Sequence, residues 1–293
     1  MHIFDPSELK KLTLAQPDSH KGQNGKLLLI GGSRLFHAAS LWPLTVASRI
    51  VDMVFYASVP ENNELVQKAK EEFRDGIVIP RNEIEHYVEE ADCVLIGPGM
   101  VRSEQKMNSE ERKTSIEEIN ELTDEGEQTY FLTKYLFEKY PNKKWVIDGG
   151  ALQMMEKEWL KNMKQVVLTP HLKEFERLFN LPPTEENVQK MAEEYNIILL
   201  RKGEEDVICY SSECIRVAGG SAGMTKGGTG DVLAGLVAAL ACKNDLFLSA
   251  QVGSYINKKA GESLSSRVGT YFNASDLVSE IPSVLARETG QIA

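Results

Sequence analysis

Cysteine is scarce in this 293-residue chain, and the four present, Cys93, Cys209, Cys214 and Cys242, form no CxxC pair. No histidine cluster lies near them. Structural zinc and a disulfide framework are therefore not expected, and all four read as reduced, mostly buried thiols. Basic charge is also short. The 33 Lys and Arg against 43 Asp and Glu leave a net charge of −10. That excludes broad electrostatic capture of nucleic acid, although a glycine-rich helix start can still bind phosphate inside an acidic protein. Long apolar runs are missing too. The stretch 41–59 is broken by Arg49 and Asp52, and 232–242 is too short to cross a bilayer. The N-terminal MHIFDPSELKKL has no apolar signal-peptide core. The expectation is a cytoplasmic protein with no nucleic-acid partner and no membrane partner.

What remains is the balance of a soluble globular chain, 42% hydrophobic and 26% charged. Short apolar runs alternate with helical patterns. Candidate strands are 27–32, 53–59, 92–97, 145–150, 166–170 and 197–203. They are continuous rather than alternating, as strands covered on both faces should be. Helices are expected near 38–51, 62–74, 129–140, 151–163, 171–180 and 184–195, and again near 231–242, 246–265 and 273–287. The 41–50 helix reads as core packing throughout, with Pro43 in its first turn. The pair 207–210 and 213–217 reads as a hairpin. This order predicts an α/β fold, three layers with a mostly parallel central sheet. No linker divides the chain, so residues 1–293 are expected to form a single domain. The segment 102–128 reads as a polar, acidic excursion within it, carrying one amphipathic or frayed helix.

Several strand ends carry glycine or a polar residue: Gly31-Gly32-Ser33, Gly97-Pro98-Gly99, Asp148-Gly149-Gly150, Thr169-Pro170-His171 and Lys202-Gly203. In an open parallel sheet these ends line the ligand crevice, so one shared site is expected. The densest signal is Lys226-Gly227-Gly228-Thr229-Gly230-Asp231 before VLAGLVAALA. Glycines let an anion approach the unpaired amides of a helix's first turn. Asp231 beside such an anion hole can accept a hydroxyl proton during phosphoryl transfer. A plain capping Asp is the alternative, but capping does not require four nearby glycines, Gly223 among them. Neither a Walker A spacing nor GxGxxG is present.

These residues resemble a known family. GxGD at a late helix start marks the ribokinase-like superfamily. The segments HKGQNGKLLLIGGS (20–33), IGPGM (96–100), VIDGGAL (146–152), LTPHLKEFERL (168–178), LLRKGEEDVI (199–208) and GMTKGGTGDVLAGLVAAL (223–240) together resemble the nucleotide-dependent NAD(P)H-hydrate dehydratases, over nearly the whole chain.

The resemblance implies a ribokinase-like fold and a metabolite-repair lyase. The hydrates NADHX and NADPHX would be phosphorylated on the ring hydroxyl from ADP or ATP, with Mg²⁺, and would lose phosphate to restore NADH or NADPH. It implies Asp231 as base, and Ala39, Gly97, Gly99 and His171 beside the substrate, with Lys21 and Ser33 flanking it. Lys202, Gly203, Glu204, Glu205, Asp206, Gly227, Gly228, Thr229 and Gly230 would hold the nucleotide. A homo-oligomer, such as a tetramer, is also implied; a metal-ligand set is not. His171 could instead be a helix cap, Lys202 a surface lysine, and Glu174 and Glu176 exposed helix charges. The chain departs from the family pattern at Gly150, where an acid is usual, at Val101, at Ala38 and in AGGSAGM (218–224). The competing readings are a ribokinase-like small-molecule kinase and a non-catalytic nucleotide-binding protein.

Overall fold

The computed structural model describes residues 2–69, 75–104, 107–108 and 111–292. Among the described residues ten strands form one sheet: β1 His2–Ile3, β2 Lys26–Ile30, β3 Met53–Ala57, β4 Ile77–Val78, β5 Cys93–Ile96, β6 Lys144–Ile147, β7 Gln165–Leu168, β8 Ile198–Arg201, β9 Asp206–Tyr210 and β10 Glu213–Val217. Their spatial order is β1-β10-β9-β8-β7-β6-β5-β2-β3-β4. Every pairing is parallel except β8 with β9 and β9 with β10.

Burial on both faces explains the unbroken apolar strands. In β2, Leu27 and Leu29 enter one core, while Leu28 and Ile30 enter the other. Each fully buried leucine contributes roughly 1.5–3 kcal/mol. The first core is closed by α1 His37–Ala47, α2 Pro60–Ala69, and the last three helices. The second is closed by α3 Ile84–Glu90, α4 Ile116–Asn120, α5 Glu125–Lys139, α6 Gly149–Met154, α7 Leu172–Phe179 and α8 Glu185–Tyr195. The last three helices are α9 Thr229–Ala241, α10 Leu246–Val268 and α11 Ala274–Glu288. This is the expected α/β/α arrangement. No helix among the described residues is long and apolar enough to cross a membrane.

The differences from expectation have physical causes. β1 and β4 are two residues long, too short to show any period. The expected helix at 62–74 is α2, and its last part, 70–74, lies outside the described residues. α4 and the start of α5 occupy the 102–128 excursion, of which 105–106 and 109–110 also lie outside. Pro43 is not in a first turn, because α1 already begins at His37. A β-carbon on Gly235 of α9 would lie 2.5 Å from the Pro43 Cα, so α9 packs directly onto the proline turn.

The cysteine expectation is corrected. Cys209 and Cys214 form a disulfide, with Cα atoms 4.2 Å apart. The hairpin register pairs Tyr210 with Glu213, leaving a two-residue turn and setting the two cysteines opposite one another. A C-x₄-C spacing is enough when the turn is that tight. Cys93 and Cys242 are free and buried, as expected.

Candidate active site

The parallel strands end on one edge, and α9 brings its N-terminus to that edge. Its other end lies at the far edge, where the Cys242 thiol approaches the Lys26 carbonyl at the start of β2. The site is therefore assembled from the ends of β6, β7 and β8 and the first turn of α9.

Asp148 follows β6 and is almost fully buried. Its Oδ1 accepts from Thr169 Oγ1 at 2.8 Å and from Lys202 Nζ at 2.7 Å. Lys202 ends the β8 segment, its amide donating to the Pro170 carbonyl. Burial works against the lysine's charge, but Asp148, Glu174 and Asp231 outweigh it and lift the group above the ordinary lysine value. A β-carbon on Gly230 would sit 3.3 Å from Lys202 Nζ, so the ammonium lies against the first turn of α9. Asp231 is the third residue of that helix. Burial, and then the Asp148 carboxylate, push Asp231 up to about 7, against the opposing pull of Lys202. A carboxylate poised near neutrality beside a cation and open amides can exchange a proton with a hydroxyl.

The glycine loop is shaped by its surroundings. Gly228 caps α9 with φ of 94°, a left-handed conformation that side chains resist. Behind it stands Trp42, whose ring atoms would be 2.3 Å from any β-carbon there. Thr229 Oγ1 donates to the Met224 and Lys226 carbonyls, at 2.6 and 3.0 Å. Gly227 has nothing within 4 Å of its β-carbon position and leaves the backbone open to a ligand.

A cavity of about 820 Å³ opens beside this turn, bounded by Lys202, Thr229, Gly230, His171, Asn257 and Lys258 among others. Its floor is a braced loop. Asp206 accepts from the Gly203 amide at 2.9 Å and from Ser254 Oγ at 2.7 Å. Lys258 donates to the Gly203 and Glu204 carbonyls at 3.2 and 2.8 Å.

A family model for NAD(P)H-hydrate dehydratases matches residues 27–283. The chain belongs to this family. It is 34% identical over 292 residues to the bifunctional NAD(P)H-hydrate repair enzyme of Methanocaldococcus jannaschii, covering 97% of this chain and 52% of that one. It is 32% identical over 285 residues to the ADP-dependent (S)-NAD(P)H-hydrate dehydratase of Nitrosopumilus maritimus, covering 91% and 90%. The chain thus spans about half the length of the bifunctional relatives, 52% and 54% for two of them. Its fold matches the ADP/ATP-dependent NAD(P)H-hydrate dehydratase of Bacillus subtilis, co-crystallised with ATP/Mg²⁺, with TM-score 0.77, 20% identity and 98% of each chain covered. It also matches ribokinase of Thermotoga maritima, with TM-score 0.54, 12% identity and 89% and 99% covered. The fold is ribokinase-like.

The dehydratase-family residues singled out in the sequence fall into three groups. Asp231, Lys202, Gly230, Thr229 and His171 meet at the cavity and its edge. His171 also caps α7: its Nδ1 accepts from the Lys173 and Glu174 amides, and Glu174 returns a bond to the His171 amide at 2.9 Å. Glu174 is buried rather than exposed, and Glu176 is exposed.

A second group gathers at the ends of β2 and β5. Ala39 lies 3.1 Å from the β-carbon position of Gly99. Gly97 is buried against the Asp148 carbonyl, 1.8 Å from where a β-carbon would be. Its position serves the approach of β5 to Asp148. Ser33 is buried too, accepting from the Phe36 amide at 2.9 Å.

The third group does not reach the site. Glu205 points away toward Arg216, 3.6 Å distant. Lys21 precedes β2 and lies at the opposite sheet edge, in a turn whose Gly22 and Asn24 amides bond Asp52. The proposed flanking role for Lys21 is not met within this chain.

Gly150 has a structural reason. A β-carbon there would be 2.1 Å from the Met100 carbonyl, so an acid cannot enter without moving the loop after β5. Asp148 and Thr169 were placed at the crevice by the strand-end pattern but given no role there, and Lys258 was missed.

Proposed function

We propose that the chain catalyses nucleotide-dependent dehydration of hydrated NADH and NADPH, as the family name indicates, with ADP as the donor that the Nitrosopumilus relative's name specifies. The observation that carries the reading is Lys202 held between Asp148 and the first turn of α9, with Asp231 pushed up to about 7 beside it. Asp231 takes the proton of the ring hydroxyl as that oxygen receives the terminal phosphoryl group. The α9 amides and Lys202 hold the transferred group while AMP leaves. The carbon–oxygen bond then breaks, phosphate departs, and a proton leaves the neighbouring ring carbon to restore the double bond.

Ala39 and Gly99 would face the substrate, and Gly203, Glu204 and Asp206 with Gly227 to Gly230 the nucleotide. The metal fits this chemistry. Asp148 and Glu174, whose charges act on Lys202, would supply hard oxygens, and Mg²⁺ commonly takes one or two carboxylates with substrate phosphates. Bound Mg²⁺ would neutralise charge on the phosphates. The single ten-stranded sheet supports reading the chain as one domain.

The test is an assay with purified protein, NADH hydrate, Mg²⁺ and either ADP or ATP, following the near-ultraviolet absorbance of reduced nicotinamide. Nucleotide-dependent recovery is expected, faster with ADP. A folded protein that binds ADP but restores no absorbance, and instead accumulates a phosphorylated alcohol from another substrate, would make it a small-molecule kinase.

A further inference from the structure

Trp42 belongs to α1 and to none of the glycine motifs, yet it meets the loop before α9 from behind. Its ring atoms Cζ3 and Cε3 would be 2.3 and 2.5 Å from a β-carbon on Gly228, so the indole rests on the bare Cα of that residue. The ring is fixed at its far edge, where Nε1 donates to Ser275 Oγ at 3.0 Å in the first turn of α11. Ser275 is itself held, its amide donating to Asn273 Oδ1 at 2.9 Å. Ala274 closes a further side, its Cβ 2.8 Å from the same β-carbon position. A second tie runs from the head of the loop. Lys226 Nζ donates to the Thr270 and Phe272 carbonyls and lies 5.4 Å from the centre of the Phe272 ring.

Three glycines within 227–230 make this backbone pliable, and glycine loses more freedom on ordering than any other residue. Phosphoryl transfer tolerates little of that freedom, because a misplacement of about 1 Å can cost about 10²-fold in rate. The rigidity therefore has to come from side chains outside the loop. Packing explains Trp42 only in part. It is partly buried at the margin of the first core, where leucine or phenylalanine would cover apolar neighbours without an indole N–H to satisfy.

We propose that Trp42 is a positioning residue for phosphoryl transfer. It clamps Gly228 against the first turn of α11, and so holds the α9 amides where the transferred group passes. This rests on the nucleotide-dependent reading above, and Trp42 acts on the loop rather than on either ligand.

The experiment compares wild type, Trp42→Leu, Trp42→Phe and Ser275→Ala in three measurements on the full chain. These are kcat and KM for NADH hydrate with saturating ADP and Mg²⁺, calorimetric binding of pyrophosphate, and tryptophan fluorescence during that titration. Rates are expressed per folded molecule, from circular dichroism at the assay temperature. Trp42→Leu should lower kcat by about 10²-fold with KM for the hydrate unchanged, and should weaken pyrophosphate binding. Trp42→Phe should restore most of the rate. Ser275→Ala, an exposed change that spares the core, should cost about fivefold, the equivalent of one hydrogen bond. Trp145 and Trp159 lie with the opposite core, so pyrophosphate should change the wild-type fluorescence and leave that of Trp42→Phe unmoved. Variants that only melt earlier, with kcat and pyrophosphate affinity at wild-type levels per folded molecule, would overturn the clamp and leave the proposed function standing. So would wild-type fluorescence that ignores bound pyrophosphate. Should Trp42→Leu not fold, Ser275→Ala and the fluorescence decide. A folded wild type that neither binds pyrophosphate nor restores nicotinamide would overturn the nucleotide reading and the clamp with it.

Discussion

At the scale of single residues, the proposed chemistry turns on the charge of Asp231. With its carboxyl pushed up to about 7, it is mostly protonated at pH 6 and mostly ionised at pH 8. Only the ionised form accepts a proton, so turnover should rise with pH through about 7, as a pH–rate profile would show. Asp231→Asn should lower kcat by about 10²–10⁴-fold while nucleotide binding persists. The sign for stability is the opposite. The folded protein holds this proton more tightly than the unfolded chain, so the associated stabilisation is full below the ordinary carboxylate range and lost as pH rises through about 7. Melting curves should therefore show Asp231→Asn at least as stable as wild type at pH 8. Lys202→Met should behave differently. It leaves the buried Asp148 carboxylate with Thr169 as its remaining side-chain donor, and should cost about 3 kcal/mol in denaturant titrations. KGGTGD was legible because glycines and an acid at a helix start have few other uses. Asp148 was legible as a strand-end residue, but its pairing with Lys202 was not, since that partner is distant in sequence.

At the scale of elements, helix α9 serves both the fold and the site. Its first turn borders the cavity, and Gly235 in its middle lets it sit on α1 at Pro43. Gly235→Val should push the helices apart and destabilise by about 1–3 kcal/mol, measurable as a lowered denaturation midpoint. The loss of activity should follow the fraction folded rather than precede it. The sequence placed α9 well because its apolar run is flanked by clear signals. It set the start of α1 at 38, one residue from His37, but ran its end to 51, past the observed end at Ala47. The hairpin β9–β10 was legible as a pair of strands. Its cross-strand disulfide was not, because opposition of Cys209 and Cys214 depends on register, which a one-residue change in the turn would undo.

At the scale of the whole molecule, alternation of apolar runs and helices was enough to give a mostly parallel sheet covered on both faces. The same logic brought five strand ends to one edge. It also exposed an error: Lys21 precedes its strand and so belongs to the opposite edge, whatever its motif suggests. In the proposed reaction, one site both transfers a phosphoryl group to the hydrate and expels it again. The most direct measurement counts inorganic phosphate and AMP released per reduced nicotinamide restored, with ADP as donor. One of each per turnover is predicted, with all three signals lost together in Asp231→Asn. Restoration of nicotinamide without phosphate release, or at the wild-type rate in that variant, would contradict it.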